Sequence, residues 1–261
     1  MNKDEIVRAI RDERRRTLTF LRGLEPKQFD TPTALPGWRI REVIAHLITT
    51  DKASVIGANV LTVLGSMDRL ERWNERQVPK WAGRPIPQLL MALDRWGRGM
   101  HRLARTLPSP LYRLRVPTIF GRAPAGLLVW SRVYDEWIHR QDMRRALGLP
   151  DEDSDLASPS EFLLTAIVSA VLPLVEGATG SVAVSLDGAP VPAWRYDLAA
   201  RTGGPTDGAS DAGARIAGPA PRLIMATAGR DSFDELRQEG TLTVDGDQEL
   251  ATQFLAKLRV V

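Results

Sequence analysis

Residues 133–148 read VYDEWIHRQDMRRALG, and two of their side chains set the reading of the N-terminal half. Asp135 and His139 are four residues apart, so on a helix they stand one turn above the other on a single face. Gly148 and Pro150 follow as stop signals, which places a helix over about 125–147. A second stretch, PGWRIREVIAHL at 36–47, opens as a turn and continues as a helix from about Ile40, with Ile40, Val43, Ile44 and Leu47 along one stripe. His46 borders that stripe. The chain has 3 histidines, and two of them fall in these segments. One donor from the first helix and a pair from the second would make a His46, Asp135, His139 site. Zinc or another divalent ion held by three such ligands keeps a position open for water or substrate. Read from the residues alone, two plainer readings stay open: a mild ion pair on an exposed helix, and hydrogen-bonded histidines without a metal.

Helical spacing extends outward from these segments. Ile6, Ile10, Thr17, Phe20, Leu21 and Leu24 recur with it from about Lys3 to Leu24, and EPKQFDTPTALPGW then breaks it with three prolines and a glycine. The second helix is expected to run from Ile40 into the sixties. RQVPKWAGRPIP (76–87) reads as a loop, a third helix spans about Pro87 to Leu107, and PSPLYRLRVPTIFGRAP (108–124) is irregular. These elements predict a four-helix bundle over residues 1–150, an architecture whose core commonly hosts metal sites.

After the acidic linker PDEDSD the pattern changes. A helix is expected from about Pro159 to Glu176, SVAVSLDG alternates like a half-buried strand, and VPAWRYDLA reads as its hairpin partner. RTGGPTDGASDAGA (201–214) reads as a mobile loop, GPAPRLIMATAGR as a short helix, TLTVDGD as a strand with its turn, and QELATQFLAKL as a closing helix. The fold class is therefore an α bundle followed by a smaller α+β domain over residues 155–261.

Charge divides along the same line. Residues 151–261 carry 17 acidic and 8 basic side chains, which leaves 27 of the 35 basic and 15 of the 32 acidic ones in the first part. The basic half, with RDERRR near its start, invites a nucleic-acid reading. Its bases are interleaved with acids along helices, however, and no zinc-finger, RNA-binding or helix-turn-helix signature is present. The expectation is no nucleic-acid partner: an Arg-rich solvated face, or attraction of a small acidic molecule. No apolar run reaches the roughly 20 residues that span a bilayer, and the start lacks a secretory apolar region, so the expected compartment is the cytoplasm. There are 0 cysteines, so thiolate ligands and disulfides are excluded, and any sulfur chemistry must use a cosubstrate.

Other templates are missing: no G-x-S-x-G, no P-loop, and no dinucleotide-binding glycine motif between a strand and a helix. Trp38, Trp73, Trp81, Trp96, Trp130 and Trp137 concentrate in the first half and read mainly as packing. Asp142, three residues beyond His139, could accept a hydrogen bond from that imidazole and orient it. Glu42 is a weaker candidate of the same kind. His101 has no acidic partner at helical spacing and reads as structural.

The two opening segments also carry a resemblance. PGWRIREVIAHL resembles the second-helix signature of DinB-like bundles in the mycothiol-dependent maleylpyruvate isomerase family, a Gly-Trp followed by a helix ending in His. WNERQV is similar to the Asn-bearing segment that follows there. VYDEWIHRQDMRRALG resembles the fourth-helix signature, in which an acid and a histidine four apart precede an aspartate and a glycine. The second half is similar to that family's sterol-carrier-like C-terminal domain, with Gly229 and Arg230 matching its Gly-Arg helix end.

The resemblance implies metal ligation by His46, Asp135 and His139, with zinc as the metal and mycothiol as cosubstrate. The family usually has glutamate where this chain has Asp135, a methylene shorter, so the aspartate must approach the ion more closely or bind through water. Glu136 points about 100° away on a helix and is no substitute. A thiol at the open position loses its proton readily, and the sulfur can add to a small, anionic electrophile, either isomerising it or staying attached. Arg230 is the candidate catalytic residue that grips a substrate carboxylate, with a helix-end surface arginine as the plain alternative. Two other functions remain open: a metal-dependent hydrolase on the same bundle, and a non-catalytic protein that holds a small apolar ligand.

Overall fold

Helix α1 (Lys3–Arg22) starts at Asn2, whose Oδ1 accepts from the Asp4 N–H at 3.0 Å, and it buries Ile6, Ile10, Leu18 and Leu21 along one face. The computed structural model describes residues 2–57, 67–118, 121–207 and 211–260. The side chains of residues 67–71 and of Asn74 lie outside this description. The chain forms two compact units, Met1–Asp151 and Glu152–Val261.

In the first unit α1 is followed by a 3₁₀ turn (Pro26–Asp30), α2 (Ile40–Val55), α3 (Met67–Ala82), α4 (Ile86–Thr106), the short α5 (Ser109–Arg113), a hairpin of β1 (Arg115–Thr118) and β2 (Gly121–Pro124), and α6 (Ala125–Ala146). Helix α1 packs on α4 and α6, and α2 packs on α3, α4 and α6. Their apolar centre is built from Leu18, Leu21, Phe29, Ile40, Val43, Ile44, Leu47, Leu89 and Leu93.

Three local expectations need correction. Helix α2 stops at Val55, where Gly57 takes φ 74°, and the rest of the expected second helix falls on residues 58–66, outside the described ones. The expected loop 76–87 is helical as far as Ala82. Pro79 sits in the last turn of α3, where it forfeits only one intrahelical bond, and Val78, Ala82 and Trp81 pack against Ala45 and Trp38. Packing thus outweighs the proline signal, and the break shrinks to Gly83–Pro85. The irregular segment 108–124 contains α5 and the hairpin, closed by Gly121 at φ 76°.

Helix α6 is central, and between Trp130 and Met143 it is buried on nearly every side, including Arg132, Glu136, His139, Arg140, Gln141 and Asp142. Such a helix survives burial only if its polar groups are paired. Arg14 on α1 supplies much of that pairing. Its Nε and Nη2 fork onto Glu136 at 2.7 and 2.9 Å, its Nη2 reaches Asp51 on α2 at 2.7 Å, and its Nη1 donates to the Leu93 carbonyl of α4 at 2.5 Å. One guanidinium therefore joins four helices. Beside it, Arg140 pairs with Glu13 and donates to Thr17 Oγ1 at 3.4 Å. The RDERRR run read as a solvated face is split by this arrangement: Arg11 and Arg15 are exposed, whereas Glu13 and Arg14 are buried.

The second unit holds α7 (Ala157–Ala170), a 3₁₀ turn (Leu172–Leu174), β3 (Ser181–Asp187), β4 (Trp194–Asp197), β5 (Thr202–Pro205), β6 (Ala214–Pro219), α8 (Ala220–Thr227), α9 (Phe233–Gln238), β7 (Thr243–Gly246) and α10 (Gln248–Lys257). The sheet order is β5-β4-β3-β6-β7, with β3 and β6 parallel and the other pairs antiparallel. Strand β5 occupies residues 202–205 of the expected loop 201–214, and β6 begins at its last residue. Gly203 pairs with Tyr196, and a Cβ there would overlap the Tyr196 ring, so the glycine that suggested a loop makes room for a buried aromatic. Tyr196 Oη donates to the Leu164 carbonyl at 2.8 Å, tying β4 to α7. The stretch Ala157–Leu174 is long and apolar enough to cross a membrane, but half of it is buried in this unit. The helix also ends earlier than expected, at Ala170.

A Cβ at Gly97 on α4 would overlap Arg14 Nη1. Gly97→Ala is therefore expected to lower the unfolding free energy by about 2–4 kcal/mol in urea denaturation, because the displaced guanidinium leaves buried acids unpaired. Glu13 generates a pH dependence. Burial pushes its carboxyl up, to about 7 from 4.5, against the pull of Arg140. The folded state thus holds a proton that the unfolded chain releases near 4.5, so this contribution to stability is full below that pH and lost as pH rises through about 7. Wild-type stability should fall relative to Glu13→Gln across this window in paired urea titrations; a pH-independent difference contradicts the assignment.

Candidate metal centre

The approach to the site is built by the PGW turn. Pro36 and Gly37 occupy its central positions, Gly37 takes φ 75°, and the Trp38 N–H closes it on the Leu35 carbonyl at 3.0 Å. These are the residue preferences and the closing bond of a type II turn. The Trp38 carbonyl is held in turn by the Thr33 N–H and hydroxyl at 2.9 and 2.8 Å. The indole lies tilted beside the His46 ring at 5.3 Å and the His139 ring at 6.4 Å.

His46 on α2 and His139 on α6 meet edge to face with ring centres 4.8 Å apart. Their side chains are about nine-tenths buried, whereas Asp135 is 26% exposed. Asp135 Oδ1 stands 3.7 Å from His46 Nε2 and 3.6 Å from His139 Nε2. Both distances are too long for a hydrogen bond. They fit donors arranged around a shared ion, since ligands about 2.0–2.1 Å from a tetrahedral centre stand roughly 3.3–3.4 Å apart. One ligand atom from each of the three residues lies within 4.8 Å of the others, so the set could hold a metal ion.

Protonation favours the same use. Burial lowers the His46 pKa, which keeps its imidazole neutral. Burial by itself would raise the Asp135 carboxyl, but the Arg132 guanidinium outweighs it, and with the two histidines it holds the group well below the usual carboxylate range. His139 Nδ1 lies 2.9 Å from Asp142 Oδ2. With the proton on Nδ1 and the carboxylate accepting it, Nε2 keeps its lone pair toward Asp135 and His46.

Residues 10–144, just over half of the chain, match the family profile described as the mycothiol maleylpyruvate isomerase N-terminal domain. The chain belongs to this family. Two solved structures share the fold across both units: the mycothiol-dependent maleylpyruvate isomerase (TM-score 0.60, 17% identity, covering 94% of this chain and 93% of that one) and a histidine-to-alanine mutant of it (TM-score 0.60, 16% identity, with the same coverage). In this fold a helical N-terminal part is followed by a sheet-containing C-terminal part. No curated protein sequence matches the chain.

His46, Asp135, His139 and Asp142 all fall inside the mycothiol maleylpyruvate isomerase N-terminal domain and come together there. Arg230 belongs to the second unit. It follows α8, its Nη1 donates to the Ala228 carbonyl at 2.6 Å, and it lines a concavity of about 490 Å³ with Phe233, Arg237 and Arg259. Glu42 has a different job: its carboxylate accepts the Arg39 N–H at 2.9 Å and the Arg39 guanidinium, capping α2. His101 is half-buried on α4, where its charged neighbours are Arg105, Arg11 and Asp12. Sequence reasoning missed Arg132, Asp51 and Arg14. Arg132 was within reach, at three residues before Asp135, whereas the other two meet the site only through the packing of α1 and α2 on α6.

Asp142→Ala should weaken divalent-metal binding by about ten- to a hundredfold in chelator competition, and Asp142→Asn by less, since it keeps an acceptor for His139. Equal affinity in wild type and both variants would show that Asp142 does not orient the ring.

Proposed function

We propose that this protein is a metal- and mycothiol-dependent isomerase or transferase acting on a small, anionic electrophile, with His46, Asp135 and His139 holding a divalent ion, most simply zinc. The observation that carries the reading is the convergence of one carboxylate and two imidazoles, donors within 4.8 Å, inside a domain of the mycothiol maleylpyruvate isomerase family. Three nitrogen and oxygen donors suit zinc and leave a coordination position open. Bound there, the ion would lower the pKa of a thiol placed at that position, as it does for water.

The chain's own residues do the rest. Burial keeps the His46 imidazole neutral, Asp142 fixes the ring of His139, and Trp38 shields the imidazole pair from bulk water on its side. With 0 cysteines the protein cannot supply a sulfur nucleophile, which makes an external thiol the coherent cosubstrate. The excess of basic residues in the first part, 27 against 15, draws an anionic substrate toward that unit. Arg230 is the proposed grip for a substrate carboxylate, and its family-like Gly-Arg context supports that role. The solved relatives are named for maleylpyruvate, so this diacid is the first substrate to test.

The test is thiol dependence in two readouts. Titrating mycothiol into zinc-loaded protein at neutral pH should produce ultraviolet thiolate absorbance that is absent with His46→Ala. Turnover of an anionic electrophile such as maleylpyruvate should require the thiol and fall about a hundredfold or more in Arg230→Ala. Thiol-independent hydrolysis, or no thiolate signal in metal-loaded wild type, would overturn the reading.

A further inference from the structure

Of the three residues assigned to the metal, Asp135 is the most exposed and has the greatest freedom to turn away. An aspartate on a helix has several staggered rotamers open to it, and only some would bring an oxygen between the two Nε2 atoms. What removes that freedom is Arg132, one turn earlier on α6, whose Nη1 donates to Asp135 Oδ2 at 2.7 Å. Arg132 does not float either: its Nε donates to Asp51 Oδ1 on α2 at 3.2 Å, and Asp51 Oδ2 accepts from Arg14 Nη2 on α1 at 2.7 Å. Arg132 and Asp51 are nearly buried, with side chains 8% and 2% exposed. The restraint on Asp135 thus runs through two guanidiniums and one carboxylate into three helices.

We infer that Arg132 is a positioning residue for the metal site: it holds Asp135 by one carboxylate oxygen, leaves the other facing His46 and His139, and is itself anchored through Asp51 to Arg14. This rests on the metal reading above and adds to it. The occupied oxygen, Oδ2, is satisfied by the guanidinium, so Asp135 offers a single oxygen, Oδ1, and the set stays at three donors. The fork of an arginine is needed for this, because one side chain must serve acids on two helices at once; a lysine provides a single point charge on a flexible stem. The two histidines are secured differently, His139 by Asp142 and His46 by burial against Trp38, whereas among the described contacts Asp135 takes its hydrogen bond from Arg132, with the two imidazoles 3.6 and 3.7 Å from its other oxygen.

The experiment compares zinc affinity, by chelator competition, and the visible spectrum of the cobalt(II)-substituted protein for wild type, Arg132→Met, Arg132→Lys and Asp51→Asn, with far-ultraviolet circular dichroism as the check on folding. Arg132→Met should bind zinc about ten- to a hundredfold more weakly and shift the cobalt spectrum. Arg132→Lys should recover part of the loss, and Asp51→Asn should weaken binding in the same direction while leaving Asp135 untouched. If Arg132→Met does not fold, the other two variants carry the comparison. Unchanged or tighter zinc binding in the folded variants, with wild type binding zinc normally, overturns this inference alone. No zinc bound by wild type overturns the metal reading, and this inference with it.

Discussion

A cation taken out of water must be met by charge and hydrogen bonds wherever it goes, and Arg14 meets that demand by drawing four helices together. Its neighbours are Glu136 from α6, Asp51 from α2 and a backbone carbonyl of α4. Removing either acid would leave the buried guanidinium with half of its carboxylate pairing, so the ion pairs hold the helices in register as well as packed. Gly97 is a condition of this arrangement, since only a residue without Cβ leaves space for the guanidinium. Apolar packing around Ile40, Val43, Ile44 and Leu47 supplies the nondirectional part of the stability. The ion pairs decide which rotation of α6 faces inward.

That rotation is what makes a site. With α6 turned so that Glu136 faces Arg14, His139 and Asp135 face α2 and meet His46. The polar residues of α6 therefore serve two connected clusters, a structural one around Arg14 and a candidate metal centre around Asp135, joined by Arg132 and Asp51. The same contacts that pair buried charge in the bundle thus lead to the candidate metal centre. A change at Asp51 would reach the proposed metal ligand only through Arg132.

Much of this was legible in the chain. The i, i+4 pair of Asp135 and His139 and the stripe around His46 placed the candidate ligands on two helices, and the three-residue step to Asp142 anticipated the contact with His139. What the pattern could not show depends on tertiary partners. The acid-base alternation of RDERRR looks solvated in one dimension, yet Glu13 and Arg14 turn inward because α4 and α6 offer partners for them. Pro79 and the glycines near 203 carry genuine breaker chemistry. Packing against Ala45 overrides the first, and the Tyr196 ring gives the second a use inside a sheet. Glu42 had the right spacing to His46 and the wrong partner, because the capping demand of α2 claims its carboxylate.

The central claim is that His46, Asp135 and His139 share one metal ion, and crystals soaked in zinc test it most directly through anomalous difference density measured on either side of the zinc absorption edge. The account predicts one strong peak bounded by the Nε2 atoms of His46 and His139 and by Oδ1 of Asp135, absent from Asp135→Ala crystals treated in the same way. Density elsewhere, or no peak between these three side chains in the wild type, would contradict it.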